Sequence, residues 1–251
     1  TSNPTVGLTT PNTGYNTIAN STTATTSANG RAVASVASGY PIASIDQTTA
    51  ATYCNNAGAS LINNNEWMTI ARNIEGQLSN WTTGTAASSV IGTGGLYRGH
   101  TDGAPNMAIE AGPDTDGYIG TGNSGFSIER RTHTLSNGEV IWDIGGNVQE
   151  WTNDTIQGQN KPNTNSGSYQ QWTSISNYGS LSYDLTRPSN SAWNSVQNMG
   201  QYNAGTVTGT TVFSFLRGGA FSGTSTAGGV FNLDLSGSIA RSVYGFRCVI
   251  R

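Results

Sequence analysis

Two short motifs rich in glycine and arginine constrain the fold of this chain more than any other feature. The first is Leu216-Arg-Gly-Gly, and the second is Tyr244-Gly-Phe-Arg-Cys, close to the end of the sequence. Between them the chain consists mostly of Ser, Thr, Gly, Ala, Asn and Asp. We interpret the two motifs as rigid anchors that hold a changeable surface of small residues.

Composition argues against several classes of function. Only 10% of the 251 residues are charged, against roughly 25% in an average globular protein. The net charge is −3 and the sequence has no basic run, so a nucleic-acid partner is not expected. No apolar run approaches the roughly 18–20 residues that span a bilayer, so no membrane insertion is expected within this chain.

The N-terminal region differs in composition from the rest of the chain. From Thr1 to Asn29 nearly every residue is Thr, Ser, Asn, Gly or Ala. Such a segment buries too little apolar surface to offset the entropy of ordering it. We therefore predict a Thr/Ser/Asn-rich stalk or linker over residues 1–38 and a folded domain over residues 39–251. The chain starts at Thr1 rather than at Met, which suggests a processed or trimmed form.

Local patterns predict an α+β class with long polar loops. Asp46 is a candidate cap for a helix over Thr48–Ala57. Asn64 or Asn65 is a candidate cap for a second helix, which ends near Gly76. Strands are predicted at residues 39–45, in a hairpin over 130–142, and at 212–216 and 246–250.

The two cysteines, Cys54 and Cys248, leave two alternatives open. They are either buried free thiols or partners in a disulfide. The polar composition favours an extracellular or cell-surface location, where disulfides form readily. A bridge that closes nearly the whole domain could contribute about 5 kcal/mol in the chain-entropy model.

Three segments of the chain carry a resemblance when they are taken together. They are Tyr40-Pro-Ile through Ala71-Arg72, Asp143-Ile-Gly-Gly-Asn-Val-Gln-Glu-Trp151, and Leu216-Arg-Gly-Gly through Gly245-Phe-Arg-Cys248. They resemble one superfamily, the formylglycine-generating-enzyme or sulfatase-modifying-factor type of the C-type-lectin fold. The resemblance implies a small twisted mixed sheet, two flanking helices and an upper half made of loops. It also implies a disulfide between Cys54 and Cys248.

The middle segment resembles the calcium-binding turn of that family. By resemblance, Asp143 and Glu150 would supply carboxylates, and Gly146 and Val148 would supply carbonyl oxygens to a structural Ca²⁺ ion. Hard oxygen ligands of this kind suit calcium. The alternative is a tight turn whose polar side chains only satisfy backbone groups. The chain departs from the commoner pattern at Gln149, where a Trp usually stands.

The catalytic members of the family use a cysteine pair between the two anchors, where a copper-dependent oxidation occurs. This chain has no cysteine between Arg217 and Arg247, so the soft ligands that Cu(I) prefers are missing. No copper and no enzymatic activity are expected. The only histidines, His100 and His133, lie near arginines and are interpreted as hydrogen-bonded loop residues rather than catalysts.

The same frame is used by variable proteins of diversity-generating retroelements, and residues 217–247 resemble their rewritten segment. Departures are Phe221 in place of the usual Trp and one extra residue near Gly228 and Gly229. The alternative is an ordinary half-buried strand, because Leu233 and Leu235 alternate with polar residues. The resemblance implies ligand-binding positions that are largely exposed, namely Ala220, Phe221, Ser222, Thr224, Ser225, Asn232, Asp234, Ser238, Arg241, Ser242 and Tyr244.

Three classes of function follow from these observations. The first is a non-catalytic surface-display protein that recognises a protein or glycan ligand on another cell or surface. The second is a structural subunit of a surface filament or pilus, in which the polar N-terminus supports a homo-oligomer. The third is a divergent sulfatase-modifying-type enzyme, which would require thiol or copper chemistry that the sequence does not supply.

Overall fold

The regular structure of the chain lies mainly in two helices and a five-stranded sheet. The structure is a computed structural model of the chain. The description covers residues 16–17 (backbone only), 40–83, 94–101, 103, 106–109, 129–162, 167–206, 209–222 and 227–251. Apart from residues 16–17, the predicted stalk over 1–38 lies outside this part of the chain, so the boundary at residue 39 stays a prediction.

Helix α1 (Gln47–Asn56) begins and ends close to where the sequence predicts. The side chain of Asp46 accepts a hydrogen bond of 2.7 Å from the backbone N–H of Thr49, which satisfies one of the free donors at the helix start. The helix stops just before Gly58, whose φ of 70° is left-handed. Asp46 is therefore confirmed as the cap.

Helix α2 (Asn64–Glu75) is capped one residue earlier than predicted. The Asn63 side chain accepts from the Glu66 N–H, and the Glu66 carboxylate accepts from the Asn63 N–H, both at 2.9 Å. This is a reciprocal capping box. The prediction of Asn64 or Asn65 as the cap is wrong because Asn64 is already helical and its side chain binds Arg217 instead.

The main sheet mixes parallel and antiparallel pairs. Its strands are β6 (Gln149–Gln157), β7 (Tyr202–Asn203), β8 (Val212–Arg217), β9 (Leu233–Ser236) and β10 (Tyr244–Phe246). Their order in the sheet is β10-β6-β8-β9-β7. The pairs β10/β6 and β7/β9 are parallel, whereas β6/β8 and β8/β9 are antiparallel.

Three small two-stranded sheets complete the frame. Their strands are β1 (Asn16–Thr17), β2 (Ile42–Ala43), β3 (Ser60–Leu61), β4 (Thr132–Thr134), β5 (Val140–Trp142) and β11 (Cys248–Val249). The predicted hairpin over 130–142 is confirmed as β4 paired with β5 through a turn at Gly138. The last strand, β11, pairs antiparallel with β3, and β1 pairs parallel with β2.

Two apolar clusters join the helices to the sheet. The larger packs the buried face of α2 on the sheet, and the Trp67 indole N–H donates to the Val230 carbonyl at 2.7 Å. The smaller lies between α1 and the strands β6 and β10 and includes Tyr53 and Trp151. The α+β class with two helices and a small mixed sheet is thus confirmed. No helix in the described ranges is long and apolar enough to cross a membrane.

A disulfide between Cys54 and Cys248 closes the domain. It links α1 to β11 across a sequence separation of 194 residues, with the two Cα atoms 5.4 Å apart. The pairing implied by the resemblance is therefore confirmed, and the alternative of two free thiols is wrong.

Candidate functional site

The first anchor is held by the Arg217 side chain, which is completely buried. Its guanidinium donates to the Asn64 side-chain oxygen at 2.6 and 3.0 Å, to the Leu185 carbonyl at 3.0 Å and to the Phe231 carbonyl at 3.2 Å. Burial lowers the pKa of Arg217 to about 9. Gly218 follows with a φ of 89°, so β8 leaves the sheet at a left-handed turn that favours glycine.

The second anchor is a buried ion pair between Arg247 and Glu150. The guanidinium donates to both carboxylate oxygens at 2.9 Å, and neither side chain is more than 1% exposed. Gly245 precedes it, and a Cβ there would lie 2.8 Å from both the Ile42 carbonyl oxygen and a Val148 methyl group. Both ends of the segment between the anchors are thus tied to the frame.

The carboxylates predicted to bind calcium already have positively charged partners. Arg131 donates to both oxygens of Asp143 at 2.8 and 2.5 Å, and Arg247 holds Glu150 as described above. In the described ranges, no group of three or more His, Cys, Asp or Glu residues is placed to hold a metal ion. As arranged, the donor set does not fit Ca²⁺, because each carboxylate would have to exchange a bidentate guanidinium for the ion.

The turn that joins these carboxylates is stabilised by its own side chains. Asn147, with a φ of 69°, accepts from the Ile109 N–H at 2.9 Å and donates to the Ile109 carbonyl at 3.2 Å. Gly146 and Val148, the predicted carbonyl ligands, are buried beside it. These contacts favour the alternative of a tight, self-satisfied turn.

Calcium removal provides a test of this interpretation. If the protein bound calcium, a free calcium concentration of 100 times the Kd would add about 2.7 kcal/mol to the free energy of unfolding. We expect no such gain, so the melting temperature should be the same in millimolar CaCl₂ and in EGTA. MgCl₂ controls for ionic strength. A rise of the melting temperature in calcium alone would restore the calcium-site prediction.

The predicted binding positions divide by burial. Ser222, Ser238 and Arg241 are exposed, and Asp234 and Ser242 are partly exposed. Thr224 and Ser225 lie outside the described residues. The expected exposure is wrong for Ala220, Asn232 and Tyr244, which are buried against neighbouring elements. Phe221, which replaces the usual Trp, is buried as well. The role of all four positions in binding stays a prediction.

Ala220 and Phe221 are both buried, and Phe221 packs beside His100 and Ala108. The Phe221 N–H donates to the Asn147 carbonyl at 2.9 Å, and its ring stacks on His100 with centroids 6.4 Å apart. Phe221 also joins a small apolar cluster with Val148. It therefore fastens the start of the segment to the frame.

A second group of predicted positions gathers around one carboxylate on the sheet. Leu233 and Leu235 point into the core, so Asp234, between them on β9, faces the opposite side of the sheet. The parallel pairing of β10 with β6 places Tyr244 beside Gln149. Together with Gln149 and two further tyrosines, these positions form what we call the Asp234 cluster, defined as Gln149, Tyr169, Tyr202, Asn232, Asp234 and Tyr244. Tyr202 pairs with Leu233 on the core side of the sheet and is included because the charge of Asp234 acts on it.

Within the Asp234 cluster, the hydrogen bond to the Asp234 carboxylate is longer than those of Asn232 with Gln149 and with Gln201. The Tyr169 hydroxyl donates to Asp234 Oδ2 at 3.4 Å. The Gln149 amide donates to Asn232 Oδ1 at 3.2 Å and to the Tyr169 hydroxyl at 3.5 Å. The Asn232 amide donates to the Gln201 carbonyl at 3.1 Å. The two amides are thus occupied, while the carboxylate is held weakly.

Electrostatics set Asp234 apart from the other acidic groups. Burial raises its pKa to about 6, although hydrogen bonds from Tyr169 and Gln149 and the charge of Arg241 act in the opposite direction. Burial together with the charge of Asp234 raises the pKa values of the cluster's three tyrosines. Perturbed groups of this kind are enriched at functional sites.

Asp234 also lacks the ion pair that the fully buried carboxylates have. Each of the four buried acidic side chains in the described ranges has an arginine nitrogen between 2.5 and 3.6 Å away. Asp234 forms no salt bridge with a described residue. The exposed Arg241 guanidinium lies instead over the Tyr244 ring, 5.9 Å from its centroid. The four paired acids are Glu75, Glu129, Asp143 and Glu150.

Asp234→Asn is expected to stabilise the folded protein at neutral pH. The folded-state pKa of about 6 lies above the ordinary Asp value of 3.8, so the folded state binds more protons between these two pH values. Stability therefore falls as pH rises through that window. Allowing for partial exposure, the variant should gain about 1–2 kcal/mol near pH 7 and nothing below about pH 4.

Urea unfolding of both proteins across this pH range measures the difference. His133 contributes in the opposite direction, because burial lowers its pKa to about 4 and its stabilising effect is lost as pH falls below about 6.5. It is present in both proteins and cancels in the comparison. A variant less stable than the parent at neutral pH would show that the carboxylate is structurally required.

Sequence reasoning missed Gln149, Tyr169 and Tyr202 as members of the site. They lie outside the segment between the anchors. Strand pairing brings Gln149 and Tyr202 to this segment, and an isolated β-bridge between Gln170 and Tyr202 brings Tyr169 there. One signal was present, since Gln149 departs from the usual Trp. Its amide forms the polar contacts of the cluster where an indole would pack.

Comparison with known proteins shows a match to one protein family over most of the chain. A family model described as the sulfatase-modifying factor enzyme 1-like domain matches residues 9–251. No curated protein matches the chain significantly. The matched range includes both anchors, both cysteines and the whole Asp234 cluster.

Proposed function

Because the chain belongs to the sulfatase-modifying factor enzyme 1-like domain family, we propose that it uses this frame for binding rather than catalysis. Its segment over residues 217–247 forms a recognition surface for a protein or glycan ligand on another cell or surface. The disulfide fits an extracellular or cell-surface location.

The state of the cysteines supports a non-catalytic role. The chain has only Cys54 and Cys248, and they are bonded to each other. No thiolate remains for Cu(I), so the residues present do not fit the copper centre of the catalytic relatives. The purified protein is expected neither to bind Cu(I) nor to oxidise a cysteine-containing peptide. Turnover of such a peptide would instead support the divergent enzyme.

The Asp234 cluster is the observation that carries the proposal. It collects Asn232, Asp234 and Tyr244 from the segment between the anchors on one face of the sheet. A partly exposed carboxylate without an ion pair is unfavourable for the folded protein alone. A protein is expected to keep a destabilising carboxylate of this kind where a bound ligand supplies the missing partner.

The resemblance to variable proteins of diversity-generating retroelements explains how such a surface would be used. Both anchors are buried and bonded to the frame, whereas Ser222, Ser238 and Arg241 between them are exposed. Substitution at exposed positions leaves the core intact, so the ligand can change while the fold does not.

Deep sequencing of this gene in a natural population tests the proposal. We expect substitutions concentrated at adenines in the codons for residues 220–244, with few in the codons for residues 40–83. Uniformly low variation would contradict a diversified surface and would favour a binding protein of fixed specificity.

The homo-oligomer or filament alternative is tested separately. Sedimentation of the chain with and without residues 1–38, over a range of concentrations, measures whether the chain assembles and whether assembly needs these residues. Assembly that depends on these residues would support a filament subunit, which is compatible with ligand display.

A further inference from the structure

We propose that the Asp234 cluster binds a cationic group, namely the ammonium or guanidinium of a lysine or arginine side chain on a protein ligand. This inference rests on the proposed binding function and names the chemistry of its central contact. The polar atoms of the cluster that remain available to a ligand decide this chemistry.

The amide groups of the cluster are already engaged. Gln149 and Asn232 are 5% and 0% exposed, and their amides bond to each other and to the Gln201 carbonyl. A glycan site needs both donors and acceptors that can reach sugar hydroxyls. Most of the donors here point into the protein.

The aromatic rings form a floor rather than an open stacking face. Tyr202 is fully buried and stacks on Trp172 with centroids 5.9 Å apart. Tyr244 is 6% exposed and packs edge-on against Trp151 at 5.2 Å. Neither ring is free for a sugar to lie flat upon.

What remains accessible is mainly an acceptor with aromatic surroundings. Asp234 and Tyr169 are both partly exposed, and the hydrogen bond between them is long, at 3.4 Å. A partly exposed carboxylate attracts cations through its charge and through charge-assisted hydrogen bonds. Every fully buried acid in the described ranges receives an arginine of this chain, and the ligand would supply the equivalent partner for Asp234.

Arg241 is a positively charged side chain at the edge of the cluster, and it opposes a cationic ligand. It is exposed and lies over Tyr244 rather than on the carboxylate. Its removal should therefore strengthen the binding of a cation. This expectation is opposite in sign to that for a glycan or an anionic ligand, for which Arg241 would be a useful donor.

The test uses acetylated and amidated tripeptides with a central arginine, lysine or norleucine, together with methyl glycosides and spermidine. Binding to the full chain is followed by NMR near neutral pH. We expect the arginine and lysine peptides to bind and the neutral norleucine peptide not to bind. Asp234→Asn should weaken the binding by about tenfold or more, and Arg241→Ala should strengthen it by about threefold.

A matched control is Asp184→Asn, which removes an exposed carboxylate outside the cluster that lies 3.6 Å from Arg72. It should bind the peptides as the parent does. A second readout is the titration of the Asp234 carboxyl, whose pKa should fall when the peptide is bound, since coupling between two sites is reciprocal. The groups that face it and must be included in the fit are Tyr169, Tyr202, Tyr244 and Arg241.

Other outcomes would overturn this inference without deciding the proposed function, which population sequencing tests independently. Binding of glycosides but not of the peptides would assign a glycan. Binding of spermidine alone would exclude a protein side chain. Equal binding by Asp234→Asn, weaker binding by Arg241→Ala, or no binding of any probe would each remove the cationic assignment.

Discussion

Replacing both Cys54 and Cys248 by alanine is expected to lower the free energy of unfolding by about 5 kcal/mol. The bridge spans 194 residues, so it removes more entropy from the unfolded chain than a short loop would. Most single domains have a total stability of roughly 5–15 kcal/mol. The double variant should therefore be close to unfolded at physiological temperature.

Urea unfolding followed by tryptophan fluorescence measures the loss. Under reducing conditions the parent protein should have about the same free energy of unfolding as the double variant, because both lack the cross-link. The two then differ only in having cysteine or alanine side chains. A loss below about 2 kcal/mol would show that the reduced, unfolded chain stays compact, which the entropy model does not include.

The second large effect is expected from the ion pair at the second anchor. Glu150→Gln leaves the Arg247 guanidinium buried without its carboxylate, and such a loss typically costs about 3–5 kcal/mol. Arg247 still donates to the Trp142 carbonyl at 2.8 Å, but a neutral acceptor does not replace a bidentate carboxylate. The unfolding free energy near neutral pH should fall accordingly.

This chain offers a matched control for that variant. Arg251 and Glu66 form the same type of bidentate pair at 2.7 and 2.9 Å, but their side chains are 46% and 30% exposed. Glu66→Gln should cost less than about 1 kcal/mol. Equal losses in the two variants would contradict the argument that burial decides the effect. Adding Arg247→Met to Glu150→Gln should recover part of the stability.

Much of the frame could be predicted because its signals are local. The Asp46 cap, the hairpin turn at Gly138 and the glycine–arginine motifs each depend on the conformation of a few adjacent residues. Asn64 shows the limit of such signals. It suits a helix cap by residue type, but Arg217, 153 residues away, takes its side-chain oxygen, and Asn63 becomes the cap.

The C-terminal strand could not be predicted correctly from its apolar pattern. One strand was expected over residues 246–250, but β10 ends at Phe246 and β11 begins at Cys248. The two pieces pair with different partners, β6 and β3, because Arg247 between them turns its side chain to Glu150. Periodicity within one segment carries no information about which strand lies beside it.

The candidate site was predicted only in part for the same reason. Asp234 was expected to face away from the core, which its alternation with Leu233 and Leu235 indicates. The burial of Asn232 and Tyr244 arises from Gln149 and Gln201, which come from other parts of the chain. Sequence spacing cannot show that an outward-facing residue is covered by a loop from elsewhere.

The disulfide also decides how the protein would respond to a mechanical load. A pull applied between the two ends of this chain would pass from residue 54 to residue 248 through the sulfur–sulfur bond. Residues 55–247 lie outside that path and would not be stretched, so the sheet that carries the Asp234 cluster would bear little tension. Only residues 1–53 and 249–251 lie on that path, so the fold between the two cysteines would keep its arrangement under a load that acts on the ends.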